Sequence, residues 1–303
     1  MNCILCNGKG EIKHAKVQDL MFGGDRSWGM RICQKDNLMW VDEPVTEKEL
    51  STFYKNYPSH STATNSSKVG FFQKVESYFI GFNMLAIISS QKPRTVLDFG
   101  CGNGDLLRAL KELNLIVSGV EFEDSVLQNL KLEFGDNNIK NVKDILDFQH
   151  KSFDVIVLSH VIEHLLNPSE VLKSLNLLLK DKGTMIILTP NIESLGHKVF
   201  GSKWRGLEVP RHRFLFSVKS LEKILRNNSF TTQEVIFSSR MARGIFVSGL
   251  VPSFETMSSK PSWRYLIHFP GEIFAFFEGL LKVLGFGRLN EEMIFLAKKS
   301  NQS

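Results

Sequence analysis

The sequence has few cysteines, no long hydrophobic run and no cluster of like charge, and each shortage argues against a class of protein. Four cysteines among 303 residues are too few for a disulfide framework, which indicates a reducing, cytoplasmic environment. No stretch of about 20 uninterrupted apolar residues occurs, so we expect no membrane-spanning helix. The first six residues, Met-Asn-Cys-Ile-Leu-Cys, have neither the basic start nor the apolar core of a signal peptide.

The charge of the chain gives no indication of a nucleic-acid partner, and we expect none. The formal net charge is only +5, and the basic residues are spread along the chain with no run of five or more. A length of 303 residues is enough to bury one large core and to carry a small appendage.

The most informative segment joins a short apolar strand to an apolar helix through three glycines. The strand ends at Phe99, and the glycines that follow it are Gly100, Gly102 and Gly104. Glycines in such a turn let the backbone come close to a bound ligand, because no Cβ stands in the way.

Carboxylates around this loop argue against a dinucleotide. Position 105, where a dinucleotide fingerprint has its third glycine, is Asp105, and Asp98 lies two residues before the first glycine. Two carboxylates would repel a pyrophosphate but suit a ligand that carries ammonium and sulfonium charges. Glu121 ends the next apolar strand about 20 residues on, where a ribose-binding carboxylate is expected.

Together these residues resemble motif I of the class I S-adenosylmethionine-dependent methyltransferases, in the form Asp-x-Gly-x-Gly-x-Gly. Residues 153–165 resemble the fourth strand and the following turn of that family, and residues 183–191 resemble its fifth strand. Trp204 and residues 210–217 are similar to a bacterial subgroup that acts on sugars, lipid-linked glycans and quinone-like molecules. The resemblance covers about residues 70 to 240.

The alternation of apolar strands with amphipathic helices between residues 95 and 190 predicts βαβ units and a parallel sheet. We predict strands over 95–99, 116–121, 139–143, 153–158 and 184–189, and helices over 104–113, 124–134, 168–180 and 217–227, the last with Ser217 as its cap. The resemblance implies that 231–238 and 292–298 add a hairpin whose last strand runs antiparallel beside the fifth. The expected fold is a doubly wound, seven-stranded Rossmann-like α/β sheet with a small N-terminal cysteine-containing unit.

Three units are predicted along the chain. Residues 1–58 form a small zinc-ribbon-like unit, residues 59–92 a linker and lid helix, and residues 93–303 the methyltransferase domain. An aromatic-rich insertion over 240–290 contains the apolar segment 262–286. That segment is core or a cover for the acceptor pocket, a peripheral contact with the inner face of a membrane, or a dimer face, and the sequence leaves the three open, together with the oligomeric state.

The resemblance implies S-adenosylmethionine as cofactor and a set of residues around it. The glycine loop lines its methionine part, Asp98 holds its ammonium group, and Glu121 accepts hydrogen bonds from both ribose hydroxyls. Phe122 packs on the adenine or is a core residue, and Asp144 or Asp147 contacts the adenine amino group. The predicted cofactor site consists of Asp98, Gly100, Cys101, Gly102, Gly104, Glu121, Phe122, Asp144 and Ser159.

Three histidines are candidates for the base that removes a proton from a hydroxyl acceptor. His160 and His164 follow the fourth strand, and they share a face if that turn is helical. His212 is preferred, because it lies on the segment that covers the active site in related enzymes. The alternative for each is a structural role. Arg211 and Arg213 either bind an anionic acceptor or lie on the surface.

The N-terminal cysteines suggest one structural zinc ion. Cys3-x-x-Cys6 and Cys33-x-x-Asp36 resemble the zinc-binding unit found ahead of some sugar methyltransferases, with the last cysteine replaced. Asp36 is the expected fourth ligand, with His14 as the other candidate. A degenerate unit with free thiols is the alternative.

These features favour a methyltransferase whose acceptor is a hydroxyl of a sugar, sugar nucleotide or lipid-linked glycan. The alternatives are a sugar C-methyltransferase, a quinone-type O-methyltransferase, a zinc-knuckle RNA-binding protein and a scaffold without activity. We expect a cytoplasmic protein, in contact with the inner face of a membrane if the acceptor is lipid-linked.

Overall fold

The computed structural model describes residues 1–20, 26–43, 45, 49, 53, 84–242, 244–246, 271 and 273–300. The strands are β1 (Glu11–Gln18), β2 (Ser27–Ile32), β3 (Met39–Val41), β4 (Thr95–Phe99), β5 (Ile116–Glu121), β6 (Ile139–Asn141), β7 (Phe153–Ser159), β8 (Leu179–Pro190), β9 (Phe214–Leu215), β10 (Phe230–Ser238) and β11 (Glu292–Lys299). The helices are α1 (Met84–Ser90), α2 (Asp105–Glu112), α3 (Asp124–Phe134), α4 (Pro168–Leu178), α5 (Leu195–Phe200), α6 (Val218–Asn227) and α7 (residues 273–281).

Seven strands form one sheet in the order β10-β11-β8-β7-β4-β5-β6. The pairs among β4, β5, β6, β7 and β8 are parallel, and β11 lies antiparallel between β8 and β10. The predicted seven-stranded α/β fold with its antiparallel last strand is therefore confirmed.

Two strand boundaries differ from the prediction by two residues or more. β6 ends at Asn141, because residues 142–147 turn into a 3₁₀ helix. β8 begins at Leu179, five residues before the predicted start, because Leu179 already pairs with Phe153 of β7. The charged residues at 180–182 hide this extension in the sequence, since they break the apolar run that marks a buried strand.

The sheet is covered on both faces because its central strands are apolar at successive positions. Val96 and Leu97 of β4 point into different clusters, as side chains of period two must. The cluster around Val96 includes Leu107 and Leu110 of α2, and the cluster around Leu97 includes Leu172 of α4. Ser217 caps α6 as predicted: its hydroxyl accepts a hydrogen bond from the amide of Ser220.

The N-terminal strands are joined to the large domain through a second sheet. Its order is β1-β2-β3-β9, so β9, which follows the histidine-arginine segment, is an edge of the N-terminal sheet. Cys3, Cys33 and Trp40 belong to the same core cluster as Leu97. The boundary at residue 58 stays a prediction, but the first 43 residues do not stand apart from the rest.

No helix among the residues described is long and apolar enough to cross a membrane. The predicted linker after residue 58, the lid segment before residue 84 and residues 247–270 of the insertion lie outside the described residues.

Candidate functional site

The glycine loop lies at the edge of the sheet where β4, β5 and β7 end. Gly100, Gly102 and Gly104 have φ angles of +80°, +50° and +82°, the left-handed region that favours glycine. A Cβ at Gly100 would lie 2.5 Å from Cγ2 of Val161, in the turn after β7. The positive φ angles and the close approach of Val161 therefore require glycine in this loop. The missing Cβ atoms also allow a ligand to approach the backbone of the loop.

Glu121, the last residue of β5, is held by three backbone amides. One carboxylate oxygen accepts from Gly102 N at 2.7 Å, and the other accepts from Phe122 N at 2.7 Å and Glu123 N at 3.1 Å. The side chain is buried and fixed in place. Carboxylate oxygens have further lone pairs, so this group can still accept hydrogen bonds from a vicinal diol.

Asp98 is buried beneath the loop, on β4. Burial, with the charge of Glu121 as a second cause, raises the pKa of Asp98 to about 7. Burial also raises the pKa of the Cys101 thiol, and the charges of Asp98 and Glu121 raise that pKa further. The two buried carboxylates, Asp98 and Glu121, form an electronegative site that a cationic ligand would neutralise.

The other predicted cofactor residues lie around the same edge. Phe122 is 43% exposed and its ring meets Phe99 edge-on at 5.6 Å between centroids, so it is not a core residue. Asp144 and Asp147 lie exposed on the 3₁₀ helix after β6. Ser159 ends β7 and is half-buried. The loop, the fixed carboxylate and the exposed ring are together suited to the methionine, ribose and adenine parts of S-adenosylmethionine.

His160 lies between two carboxylates. Its Nδ1 is 3.3 Å from Glu163 Oε1, and its Nε2 is 2.9 Å from Glu292 Oε1. Burial alone would lower the pKa of His160, but the hydrogen bonds and charges of these two groups outweigh it and raise the pKa to about 10. The turn after β7 is not helical, so His160 and His164 do not share a helix face. An imidazolium at neutral pH cannot take up another proton, which leaves His164 and His212 as candidates for the base.

His164 and His212 are neighbours, with ring centroids 4.6 Å apart. His164 Nδ1 lies 3.2 Å from the Arg211 carbonyl, and His212 Nδ1 lies 2.7 Å from the Gly206 carbonyl. Because a carbonyl only accepts, Nδ1 of each ring carries a proton, and in the neutral ring the lone pair is on Nε2. His212 Nε2 lies 4.0 Å from Glu208 Oε2. Burial and the nearby His212 lower the pKa of His164 to about 4.

The segment that carries His212 is tied to the turn after β7. Arg213 N and Phe214 N both donate to the Glu163 carbonyl, at 2.8 and 3.1 Å. The carboxylate of Glu163 accepts from Thr189 Oγ1 at 3.0 Å. Burial would raise the pKa of Glu163, but the hydrogen bond with His160 prevails and lowers it to about 2.

Arg211 and Arg213 do not form an anion site on the surface. Arg211 is fully buried and makes two hydrogen bonds of 2.8 Å with the carboxylate of Asp19, in the N-terminal part. Arg213 is buried and donates to the Val45 carbonyl at 2.8 Å. The expectation that they bind an anionic acceptor or lie on the surface is wrong. Buried arginines with these partners stabilise the junction between the two sheets.

The four residues expected to bind zinc come together. Ligand atoms of Cys3, Cys6, Cys33 and Asp36 all lie within 4.8 Å of one another. His14 is not among them, because its Nε2 lies 3.0 Å from His197 Nε2, so the alternative fourth ligand is wrong. Three thiols and one carboxylate make a donor set that suits tetrahedral zinc.

Sequence reasoning missed several groups of the site. Lys223 of α6 lies 2.7 Å from Asp36 Oδ1 and so connects the cysteine cluster to the large domain. Glu292, which holds His160, belongs to the last strand. A second set of ligand-capable atoms, from Glu163, His164 and His212, also lies within 4.8 Å of one another. The neighbouring Glu163-His164 pair was visible in the sequence, but the other partners are far apart along the chain.

Comparison with known proteins places this geometry in a family. A family model described as a methyltransferase domain matches residues 81–235, which is more than half of the chain. The chain therefore belongs to the methyltransferase-domain family. Its sheet and glycine loop are those of a class I S-adenosylmethionine-dependent methyltransferase domain.

Curated relatives are similar over this domain. The tRNA U34 carboxymethyltransferase of Campylobacter fetus subsp. fetus is 30% identical over 166 residues, which are 52% of this chain and 58% of that protein. The ubiquinone biosynthesis O-methyltransferase of Glaesserella parasuis serovar 5 is 32% identical over 109 residues, 32% of this chain and 46% of that one. The chain thus spans about half the length of the curated relatives it matches.

Two solved structures are similar in overall arrangement. The PH0226 protein of Pyrococcus horikoshii OT3 has a TM-score of 0.49 at 14% identity, over 82% of this chain and 99% of that one. The 1,6-didemethyltoxoflavin-N1-methyltransferase of Burkholderia thailandensis has a TM-score of 0.48 at 14% identity, over 92% and 98%. Likenesses at this level say nothing about the acceptor.

Proposed function

We propose that the protein transfers a methyl group from S-adenosylmethionine to a small-molecule acceptor, a hydroxyl of a sugar, sugar nucleotide or lipid-linked glycan. The observation that carries the proposal is Glu121, held by three backbone amides at the end of β5 beside the glycine loop. That arrangement suits the ribose diol of a ligand that also carries positive charge. The positive charge of the ligand would neutralise the carboxylate of Asp98.

The chemistry asks the protein to position two reactants and to receive one proton. S-Adenosylmethionine supplies, when bound, an electrophilic methyl group on a sulfonium. Nε2 of His212 would take up the proton that the acceptor hydroxyl loses when it is methylated. Alignment of this kind contributes several kcal/mol to lowering the barrier, and a histidine base adds roughly 10²–10⁴-fold.

His212 suits the role of base better than its two neighbours. The Gly206 carbonyl accepts from Nδ1 of His212, so Nε2, which lies 4.0 Å from Glu208 Oε2, is the nitrogen that can accept a proton. His164 is the second choice, because burial and His212 lower its pKa to about 4 and make it a weak base. His160 is an imidazolium between Glu163 and Glu292, and we assign it a positioning role at the edge of the sheet.

A quinone-type or phenolic acceptor is the second candidate. It is favoured by relatives named as ubiquinone biosynthesis O-methyltransferases, among them those of Glaesserella parasuis and Homo sapiens. Sugar C-methylation is the third, favoured by the N-terminal cysteine unit with its proposed structural zinc. A lipid-linked acceptor would bring the protein to the inner face of a membrane, with the apolar insertion 262–286 as the contact.

The test is transfer of a labelled methyl group from S-adenosylmethionine to a panel of acceptors. The panel contains sugar nucleotides, lipid-linked glycans, catechols and bulk tRNA, the last because one relative is named for tRNA. We expect label in a sugar or lipid-linked fraction. His212→Asn keeps a donor for the Gly206 carbonyl and removes the base, so turnover should fall about 10²-fold with unchanged cofactor affinity.

His150→Asn, at an exposed histidine, is the matched control and should behave as wild type. Label confined to tRNA would overturn the small-molecule proposal. Wild-type turnover in a folded His212→Asn protein would move the role of base to His164 or remove it.

A further inference from the structure

The helix α7 and the turn that follows it have a polarity opposite to that of an ordinary surface helix. Seven large apolar side chains are between 42% and 84% exposed, namely Ile273, Phe276, Phe277, Leu280, Val283, Leu284 and Phe286. The inward side holds Ala275 and the carboxyl group of Glu278, both fully buried. A surface helix normally turns its apolar stripe inward and its charges outward.

The exposed residues form one continuous strip. Positions 273, 276, 277 and 280 of α7 recur at i, i+3, i+4 and i+7, the spacing of a single helix face. The exposed residues at 283, 284 and 286 lie on the turn that follows α7. Among the described side chains of residues 273–286, none that is exposed carries a charge. An uninterrupted apolar strip of this size on a surface indicates contact with an apolar partner.

The helix cannot turn this strip inward without exposing what it now buries. Burial, with the nearby Glu291 as a second cause, holds the pKa of Glu278 well above its usual range, so the carboxyl group is uncharged inside the protein. The amide of Asn290 donates to the Glu278 carbonyl at 3.5 Å. These contacts fix which side of α7 faces outward.

The sequence of the insertion that carries the strip is basic. Residues 240–290 contain six basic and three acidic residues, and one of the acidic residues is the buried Glu278. Arg288 is exposed just after Phe286, at the end of the strip. The insertion also contains Trp263 and Tyr265, residue types that are enriched where membranes meet water.

A lipid surface fits this pattern better than a second copy of the chain. In a twofold dimer the two strips would cover each other, and the described side chains of the strip offer Arg288 no exposed carboxylate. An anionic bilayer instead neutralises Arg288 while the apolar side chains enter the interface.

We propose that the strip formed by the apolar side chains of residues 273–286 binds the surface of an anionic lipid bilayer. The aromatic and aliphatic side chains lie among the headgroups and upper acyl chains, and Arg288 contacts a phosphate. The proposed peripheral contact with a membrane is thereby assigned to a particular face of the protein and to anionic lipids. It does not depend on methyl transfer, so either proposal can fail alone.

The test is co-sedimentation of the full-length protein with vesicles of phosphatidylcholine and phosphatidylglycerol at roughly 7:3, with pure phosphatidylcholine for comparison. The variant combines Phe276→Gln with Val283→Gln, two of the most exposed positions of the strip. Leu132→Gln is the matched control, because Leu132 is 87% exposed on α3, outside the strip. All proteins are also measured for Tm, oligomeric state and binding of S-adenosylmethionine.

We expect wild type and the Leu132→Gln control to bind the anionic vesicles, and the double variant to bind at least about tenfold more weakly. Tm and binding of S-adenosylmethionine should not change. Equal vesicle binding by the double variant, or no binding by wild type, would overturn the proposal. A wild-type dimer that the variant makes monomeric would assign the strip to a second copy, and a fall in Tm without vesicle binding would assign it to the chain's own residues.

Discussion

We predict that Asp98 makes binding of S-adenosylmethionine dependent on pH. In the protein without cofactor, burial and Glu121 raise the pKa of this carboxyl group to about 7. An ammonium group bound beside it favours the ionised form, so binding must expel a proton wherever Asp98 is protonated. With a pKa of about 7, the ionised fraction is about 0.03 at pH 5.5 and about 0.5 at pH 7.0, so affinity should rise roughly 16-fold between these values.

The assay is calorimetry at a series of pH values, in two buffers that differ in ionisation enthalpy. Wild type should release about one proton per cofactor bound at pH 5.5 and about half a proton at pH 7.0. Asp98→Asn should bind weakly and with affinity independent of pH over this range. Asp136→Asn, at an exposed aspartate, should match wild type. The reasoning would be refuted if the affinity of wild type changed less than twofold between pH 5.5 and pH 7.0. It would also be refuted if the affinity of Asp98→Asn still depended on pH.

Two further predictions concern parts of the protein outside the glycine loop. Protein purified without a histidine tag should contain about one zinc per chain, and the Asp36→Asn variant should lose that zinc to a chelator more readily. Protein that contains no zinc, and whose Cys3, Cys6 and Cys33 all react with a thiol reagent, would contradict this prediction. His160→Gln should lower Tm by about 4 °C or more at pH 6. The pKa of His160 is about 10 in the folded protein, above its value in the unfolded chain, so its stabilising effect is complete below pH 6.5 and is lost as pH rises toward 10. A difference in Tm between wild type and variant that stays constant from pH 6 to 10 would disprove this.

The fold was predictable because local patterns and global structure agree. Apolar strands alternate with amphipathic helices, and the strands from β4 to β8 formed largely as their periodicity indicates. The glycine loop and Glu121 were also visible, since both lie within about 25 residues and depend on one strand-turn-helix unit. Ser217 was recognisable as a cap because capping is a local hydrogen bond.

The rest depends on contacts between distant parts of the chain. Arg211 looked like an exposed anion-binding residue, but Asp19, 192 residues away, buries it in an ion pair. The sequence made His160 a candidate base, but its contact with Glu292 of the last strand favours the protonated imidazolium. β9 has only two residues and no detectable pattern of its own, because pairing with β3 defines it. Long-range partners of this kind leave no periodic signal in the sequence.

The central claim is that the glycine loop and Glu121 bind S-adenosylmethionine, and calorimetric titration of wild type and Glu121→Ala tests it most directly. Wild type should bind one cofactor per chain in the micromolar range. Removal of the ribose hydrogen bonds in Glu121→Ala should cost about 2 kcal/mol, which is roughly a 30-fold loss of affinity. Glu112→Ala, at an exposed glutamate of α2, should bind as wild type does. No binding by wild type, or equal affinity in Glu121→Ala, would contradict the account.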